Sequence, residues 1–350
     1  MAPHFEDALL SRRFSFPPAG LFHAPLRADQ QPHRDSVNAK LDSGEYALEA
    51  VPCFCGGTDF KTLASVDRYT LRSQTVLCRR CGLLSTNPRM SEAAYARFYD
   101  GEYRRMYGDE IRTPETRFAE GLELGRVVHA FVAGRLPSSK PGLAFEIGSN
   151  LGATLSVFQS HGYEVAGTDY GSRSIELGKT LSGVQRLYVG DISRLEEDGR
   201  KADLFILQHV LEHFLDLEGM LRRIRGLLQP DGHIFIEVPG IYSWISTYCK
   251  NDFLEYLQNA HTYYFSLATL DYVMECCGFE RVAGDEYIRS LYKVSKNFRA
   301  KKAAPESEAA KVEDYLRGLE RRITPRLILK KTLASLGILR LRDHIRDSLK

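Results

Sequence analysis

The chain has no apolar run approaching the roughly 18 residues that a membrane-crossing helix requires. Its opening stretch, MAPHFEDALLSRRFSFPP, lacks the apolar core of a secretory signal. Both absences point to a cytoplasmic protein. Net charge is scarce as well, +2 over 350 residues. The basic excess is concentrated at 321–350, where nine Lys and Arg stand against two Asp, so the remainder is acidic. An acidic body argues against general nucleic-acid binding. Cysteines number seven, an odd count with four in two close pairs, which fits metal ligation in a reducing compartment better than a disulfide framework. No internal repeat is present. A 43% hydrophobic content nevertheless suffices for a packed core.

The stretch 143–169, LAFEIGSNLGATLSVFQSHGYEVAGTD, organises the rest. An apolar run at 143–147 carries Glu146 and meets the turn Gly148-Ser149-Asn150, after which the spacing of Leu151, Leu155 and Phe158 is helical. A second strand at 163–167 runs into Asp169, giving a β-α-β unit closed by an acid. The dinucleotide glycine pattern is missing. Glu146 stands two residues before the first glycine, and Asn150 replaces a second one; asparagine tolerates a left-handed turn. An acid there repels a pyrophosphate and welcomes a cation. Glu146 therefore suits a ligand with a cationic amino-acid end, such as S-adenosylmethionine, while the Asp169 carboxylate can accept from both ribose hydroxyls.

Alternation continues with a helix at 172–181, a strand at 185–189, a strand at 202–209, a helix at 217–228 and a strand at 233–238, the pattern of a parallel sheet with right-handed crossovers. Ser266 caps a helix to Cys277, and strands at 280–282 and 287–294 follow. Upstream, residues 1–50 read as an irregular arm, with Phe14, Phe16, Leu21 and Phe22 available for docking. Ser91 caps a helix whose face is Ala94, Tyr95, Phe98 and Tyr99, and a second helix spans about 113–136. The expected layout is arm 1–50, metal module 51–90, helical connector 91–140, α/β domain 141–297 and basic helical extension 298–350. In the extension, Leu329, Leu333, Leu336, Ile338, Leu341, Ile345 and Leu349 interleave with basic residues as a helix pair broken near Gly337. Residues 321–350 dock either on the chain itself or on a partner or anionic membrane surface.

Cys53-x-Cys55-Gly56-Gly57 and Cys78-x-x-Cys81-Gly82 supply four thiolates, each pair followed by glycine, matching a closed tetrahedral zinc site of structural type. The first pair is one residue tighter than the usual knuckle.

EIGSNLG, GTD, the GDI at 190–192 and HVLEHF at 209–214 together resemble the class I S-adenosylmethionine-dependent methyltransferases, and among them the sugar C-methyltransferase-like branch with an N-terminal zinc module. The resemblance spans about 50–295. It implies a Rossmann-like fold, a mostly parallel seven-stranded sheet with helices on both faces. It also implies that Glu146, Gly148, Ser149, Asn150 and Gly152 hold the methionine part, Asp169 and Tyr170 the ribose, and Asp191 and Ile192 the adenine, with Gln208 a further cofactor contact. Asp191 can equally cap a helix.

His261, followed by Tyr264-Phe265-Ser266, resembles that branch's EHxxYFS segment, where the histidine is a general base. Ala260 replaces the preceding acid, so any orienting acid must come from elsewhere. For Glu212 and His213 three readings stand: partners in general base catalysis, ligands of a divalent metal with His209 and His261, or a structural pair that caps the following helix and fixes the loop around the cofactor. Glu237 either meets substrate or pairs with a basic side chain. The aromatics at 242–264 pack, or stack on a ring. The reaction implied is methyl transfer to a small acceptor, a nucleotide-activated or glycan-linked sugar, on carbon or oxygen. The rivals are a polyketide- or quinone-like acceptor and a non-catalytic cofactor-binding scaffold.

Overall fold

A computed structural model describes residues 9–17, 26–107, 112–136, 142–296, 298 and 303–335. Its contacts divide the chain into two units: Met1–Met106 with Tyr242–His261 and Glu306–Lys350, and Tyr107–Ile241 with Thr262–Pro305. Neither follows the contiguous layout read from sequence, because the 242–261 excursion and the C-terminal helix pack with the N-terminal part.

The second unit is built on seven strands: β1 (Leu143–Ile147), β2 (Glu164–Asp169), β3 (Leu187–Val189), β4 (Ala202–Gln208), β5 (Leu228–Glu237), β6 (Phe279–Gly284) and β7 (Arg289–Val294). They lie in the order β6-β7-β5-β4-β1-β2-β3, with β1 to β5 parallel and β7 antiparallel to both of its neighbours. This is the Rossmann-like sheet implied by the resemblance. Strand order reverses beside β1, so the ligand crevice of such a sheet falls outside the carboxyl ends of β1, β2 and β4. Every residue of β1 is buried, as a central parallel strand covered on both faces requires. Ala144, Leu204, Ile206 and Phe235 from the sheet pack with Leu155, Phe158, Val128 and Val132 from helices Ala153–Ser160 and Pro114–Ala133. At Gly125 those helices meet so closely that a Cβ would lie 2.9 Å from Thr154 Cα. Residues 229–232, between the expected helix and strand, are absorbed into β5, whose register shifts between Leu228 and His233.

The first unit carries antiparallel strands Phe60–Val66, Arg72–Cys78 and Leu84–Thr86, and helix Glu92–Phe98, capped by Ser91 as expected. The irregular arm requires correction. Gln30–Ser43 is a helix ended by Gly44 at φ 78°, with Val37 and Leu41 buried. Pro32 falls in its first turn, where the missing N–H costs nothing, and the sparse apolar residues hide the period. Phe14 docks as proposed, fully buried with its ring 5.8 Å from Phe253, while Arg13 is buried between Asp252 and Glu320. Leu21 and Phe22 lie outside the described residues.

Helix Glu308–Ser335 buries Val312, Leu316 and Leu319. Leu329 is exposed, and residues 336–350, with the expected break at Gly337, lie outside the described residues. Among the described residues no helix is long and apolar enough to cross a membrane.

Candidate active site

The turn leaving β1 is shaped by three left-handed residues, Gly148 (φ 74°), Asn150 (φ 47°) and Gly152 (φ 70°). A Cβ on Gly148 would lie 2.6 Å from Val210 Cγ2, so this position combines strain with lack of room and takes only glycine. Gly148 and Ser149 both donate N–H to Thr168 O, at 2.8 and 2.9 Å. Asn150 N donates to Asp169 Oδ2 at 3.0 Å, and Gly171 N donates to Oδ1 at 2.7 Å. Arg117 Nη2 completes the turn by donating to Asn150 Oδ1 at 2.9 Å. The Asp169 carboxylate thus locks the β1 turn onto the β2 turn.

Glu146 is 4% exposed, and its Oε2 has no hydrogen-bond partner; Ser149 Oγ is likewise buried and unpartnered. Burial, and secondarily the charge of Asp169, push the Glu146 carboxyl well above the usual glutamate range, against a smaller effect of Thr154. Thr154 Oγ1 donates to Gln208 Oε1 at 2.7 Å, which ties the helix after β1 to the end of β4. A buried carboxylate without a cation is costly, so this cradle fits an ammonium group.

Along the same edge, Tyr170 and Val189 are 79% and 52% exposed, while Ile192 is buried. Asp191 Oδ1 accepts from Ser193 N at 2.8 Å, and Oδ2 lies 3.6 Å from Arg223 Nη1. Burial opposes its ionisation, but Ser193 and Arg223 hold the carboxyl below its usual value. Asp191 therefore closes a local turn just ahead of the helix Ser193–Glu197, whose N-cap position is Ile192.

Beyond β4, His209 adopts φ 53° and donates N–H to Glu237 O at 2.8 Å. Its Nδ1 lies 3.6 Å from Glu212 Oε1. Burial lowers the imidazole pKa, but Glu212 and then Glu237 raise it to a net value above normal. His213 closes the short turn Leu211–His213. The capping alternative for Glu212-His213 is excluded, because Asp216 caps helix Leu217–Leu227, accepting from Gly219 N at 2.9 Å. Glu212 O instead accepts from Thr262 N at 2.8 Å. Glu237 pairs with Arg289 at 3.1 Å, the basic-partner option.

In the first unit, the sulfurs of Cys53, Cys55, Cys78 and Cys81 all lie within 4.8 Å of one another, with Cys53–Cys81 at 3.5 Å and Cys55–Cys78 at 3.6 Å. Gly56 and Gly82, both at φ 77°, turn the knuckles: Gly56 N donates to Cys53 O and Gly82 N to Cys78 O. The tight first spacing thus still converges. Hydrogen bonds from Cys53 and then Cys81 pull the Cys78 thiol far below its ordinary value. His261 is 6% exposed, its N–H donating to Gln258 O at 3.0 Å and its carbonyl accepting from Thr86 Oγ1 at 2.7 Å. Most nearby aromatics pack: Trp244 on Tyr248, Tyr242 on Tyr315, and Tyr256 is buried. Sequence reasoning missed Asp67, which reaches Asn259 across 192 positions, a separation that leaves no local signature.

Residues 120–283 match a family model described as a methyltransferase domain. The chain is 26% identical over 211 residues to the C-methyltransferase NovU of Streptomyces niveus, covering 59% of this chain and 46% of that protein, so it spans under half of this curated relative. Among solved structures, it is similar to 1,6-didemethyltoxoflavin-N1-methyltransferase of Burkholderia thailandensis, at TM-score 0.42 and 16% identity over 61% of this chain and 96% of that one. Magnesium protoporphyrin IX methyltransferase of Synechocystis PCC 6803 gives TM-score 0.40 and 16% identity over 59% and 100%. The stretch that matches the methyltransferase-domain model, 120–283, holds the β1 turn, Asp169 and the end of β4.

Proposed function

We propose that the chain binds S-adenosylmethionine at the carboxyl ends of β1 and β2 and transfers its methyl to a small acceptor. The observation that carries this reading is the buried, unpartnered Glu146 Oε2, with Ser149 Oγ, beneath a glycine turn. When bound, the cofactor supplies a sulfonium methyl open to in-line displacement. Glu146 would take the ammonium, relieving its own burial. Asp169 has lone pairs left beyond its two backbone bonds for ribose hydroxyls, and the exposed Tyr170 and Val189 offer apolar surface to the base. His261 acts as general base, taking the proton of the acceptor hydroxyl or carbon acid, since an imidazole titrates near neutrality.

The four cysteines would hold a structural zinc; all-thiolate coordination leaves no open position, so no step is assigned to it. A sugar acceptor, methylated at carbon or oxygen, is favoured by the cysteine module and the HTYYFS segment through their resemblance to the sugar branch. The relative named a C-methyltransferase favours carbon.

The test is calorimetric titration with S-adenosylmethionine, then S-adenosylhomocysteine release over a panel of nucleotide-linked keto- and hydroxy-sugars, phenols and β-keto thioesters. Saturable binding and turnover of a sugar nucleotide support the reading. Absent binding rejects it, and turnover of a phenol or thioester alone moves the substrate class. His261→Ala should keep cofactor affinity and lose turnover.

A further inference from the structure

Ala260 stands where the resembling branch has an acid, so the orientation of His261 needs another source. The backbone of 255–261 is gripped at alternate residues by a hairpin turn at 67–68, the strand Leu84–Thr86 and the helix Glu92–Phe98 of the first unit. Arg68 Nη1 donates to Glu255 O at 3.3 Å and Arg68 N to Leu257 O at 3.2 Å. Asp67 Oδ2 accepts from Asn259 N at 2.9 Å, Tyr95 Oη donates to Asn259 O at 2.9 Å, and Thr86 Oγ1 donates to His261 O at 2.7 Å.

Asp67 divides its oxygens between two tasks. Oδ1 accepts from Tyr69 N and Leu71 N, both at 2.9 Å, and so closes the hairpin between strands Phe60–Val66 and Arg72–Cys78. The hairpin therefore needs only one oxygen. The other is spent on the histidine segment, although full burial opposes the charge and pushes this carboxyl up to about 6. A buried carboxylate held by three N–H groups makes charge-assisted bonds, stiffer than neutral ones.

We propose that Asp67, with Thr86 and Tyr95, is a positioning residue that fixes the His261 imidazole by clamping the backbone on either side of it. The proposal rests on His261 being the base. Removing one clamp would misplace the ring by a fraction of an ångström to about 1 Å, which costs up to about 10²-fold in turnover.

Asp67→Asn separates the two tasks. Its amide oxygen can keep the hairpin bonds, while its NH₂ faces the Asn259 N–H, donor against donor. The full chain is labelled with ¹⁵N-histidine, and the His261 ring signals are identified by their loss in His261→Ala. Asp67→Asn and Thr86→Val should displace the titration midpoint of His261 and lower kcat on the acceptor found in the panel, with S-adenosylmethionine affinity unchanged. Thr86→Ser, which keeps the hydroxyl, should restore both. An unmoved His261 titration in both Asp67→Asn and Thr86→Val, with only a lowered melting temperature, overturns the proposal, and this arm decides without an acceptor. Full turnover by His261→Ala would instead remove the base reading, and the positioning role with it.

Discussion

The N–H of Asn150 meets the carboxylate of Asp169 at 3.0 Å, so the residue expected to bind ribose also fixes the turn beneath the methionine site. Replacing Asp169 by alanine would damage both at once. Asp169→Asn keeps one acceptor oxygen and is the cleaner probe. We expect it to weaken S-adenosylmethionine binding by about 1.5–3 kcal/mol, roughly ten- to a hundredfold, as the loss of a hydrogen bond to a charged group implies. Titration calorimetry reads this directly, and undiminished affinity would reject the ribose assignment.

Glu146 predicts a pH dependence. Burial and Asp169 raise its folded pKa above the unfolded one, so its stabilising contribution is present at acidic pH and is lost as pH rises through the folded pKa. An ammonium beside it reverses the preference and expels the proton. Cofactor binding should therefore tighten as pH rises and release up to about one proton, seen as a binding enthalpy that differs between buffers of unlike ionisation enthalpy. Glu146→Gln should abolish the buffer dependence and improve the stability of the cofactor-free protein at alkaline pH. A wild type without buffer dependence would contradict the placement of the ammonium.

The cysteine cluster predicts about one zinc per chain by elemental analysis. Cys78→Ser should lose the metal and destabilise the strands Phe60–Val66 and Arg72–Cys78, because metal-binding free energy is folding free energy. Cys276→Ser, at a cysteine that is not one of the four, should retain it. Full metal content in Cys78→Ser would exclude the site.

Arg13 is 2% exposed and pairs with both Asp252 and Glu320. Arg13→Met would leave two largely buried carboxylates without a counter-charge, and should cost about 3–5 kcal/mol in denaturant unfolding. A loss under about 1 kcal/mol, the worth of a surface pair, would mean that water reaches the cluster.

The α/β alternation, the glycine turn, Ser91 and Ser266 as caps and the paired cysteines were legible because each is a local pattern: a period, a spacing or a residue whose chemistry acts within a few positions. The helix Gln30–Ser43 escaped because its apolar residues are too few to show a period and its proline looked like a breaker. Of the readings open for Glu212-His213, the helix cap fell because the cap is Asp216, the residue directly before the helix.

What the sequence determined by itself is the β-α-β grammar and the donor set: an acid and glycines at one strand end, an acid at the next, four thiols in two pairs. Those follow from backbone preferences and side-chain chemistry that need only near neighbours. Tertiary structure alone decided that Glu146 Oε2 is buried without a hydrogen-bond partner, that Asp169 is spent partly on the turn, and that Asp67 grips Asn259. Burial and long-range pairing depend on what the rest of the chain packs around a residue, and no window of sequence contains that information.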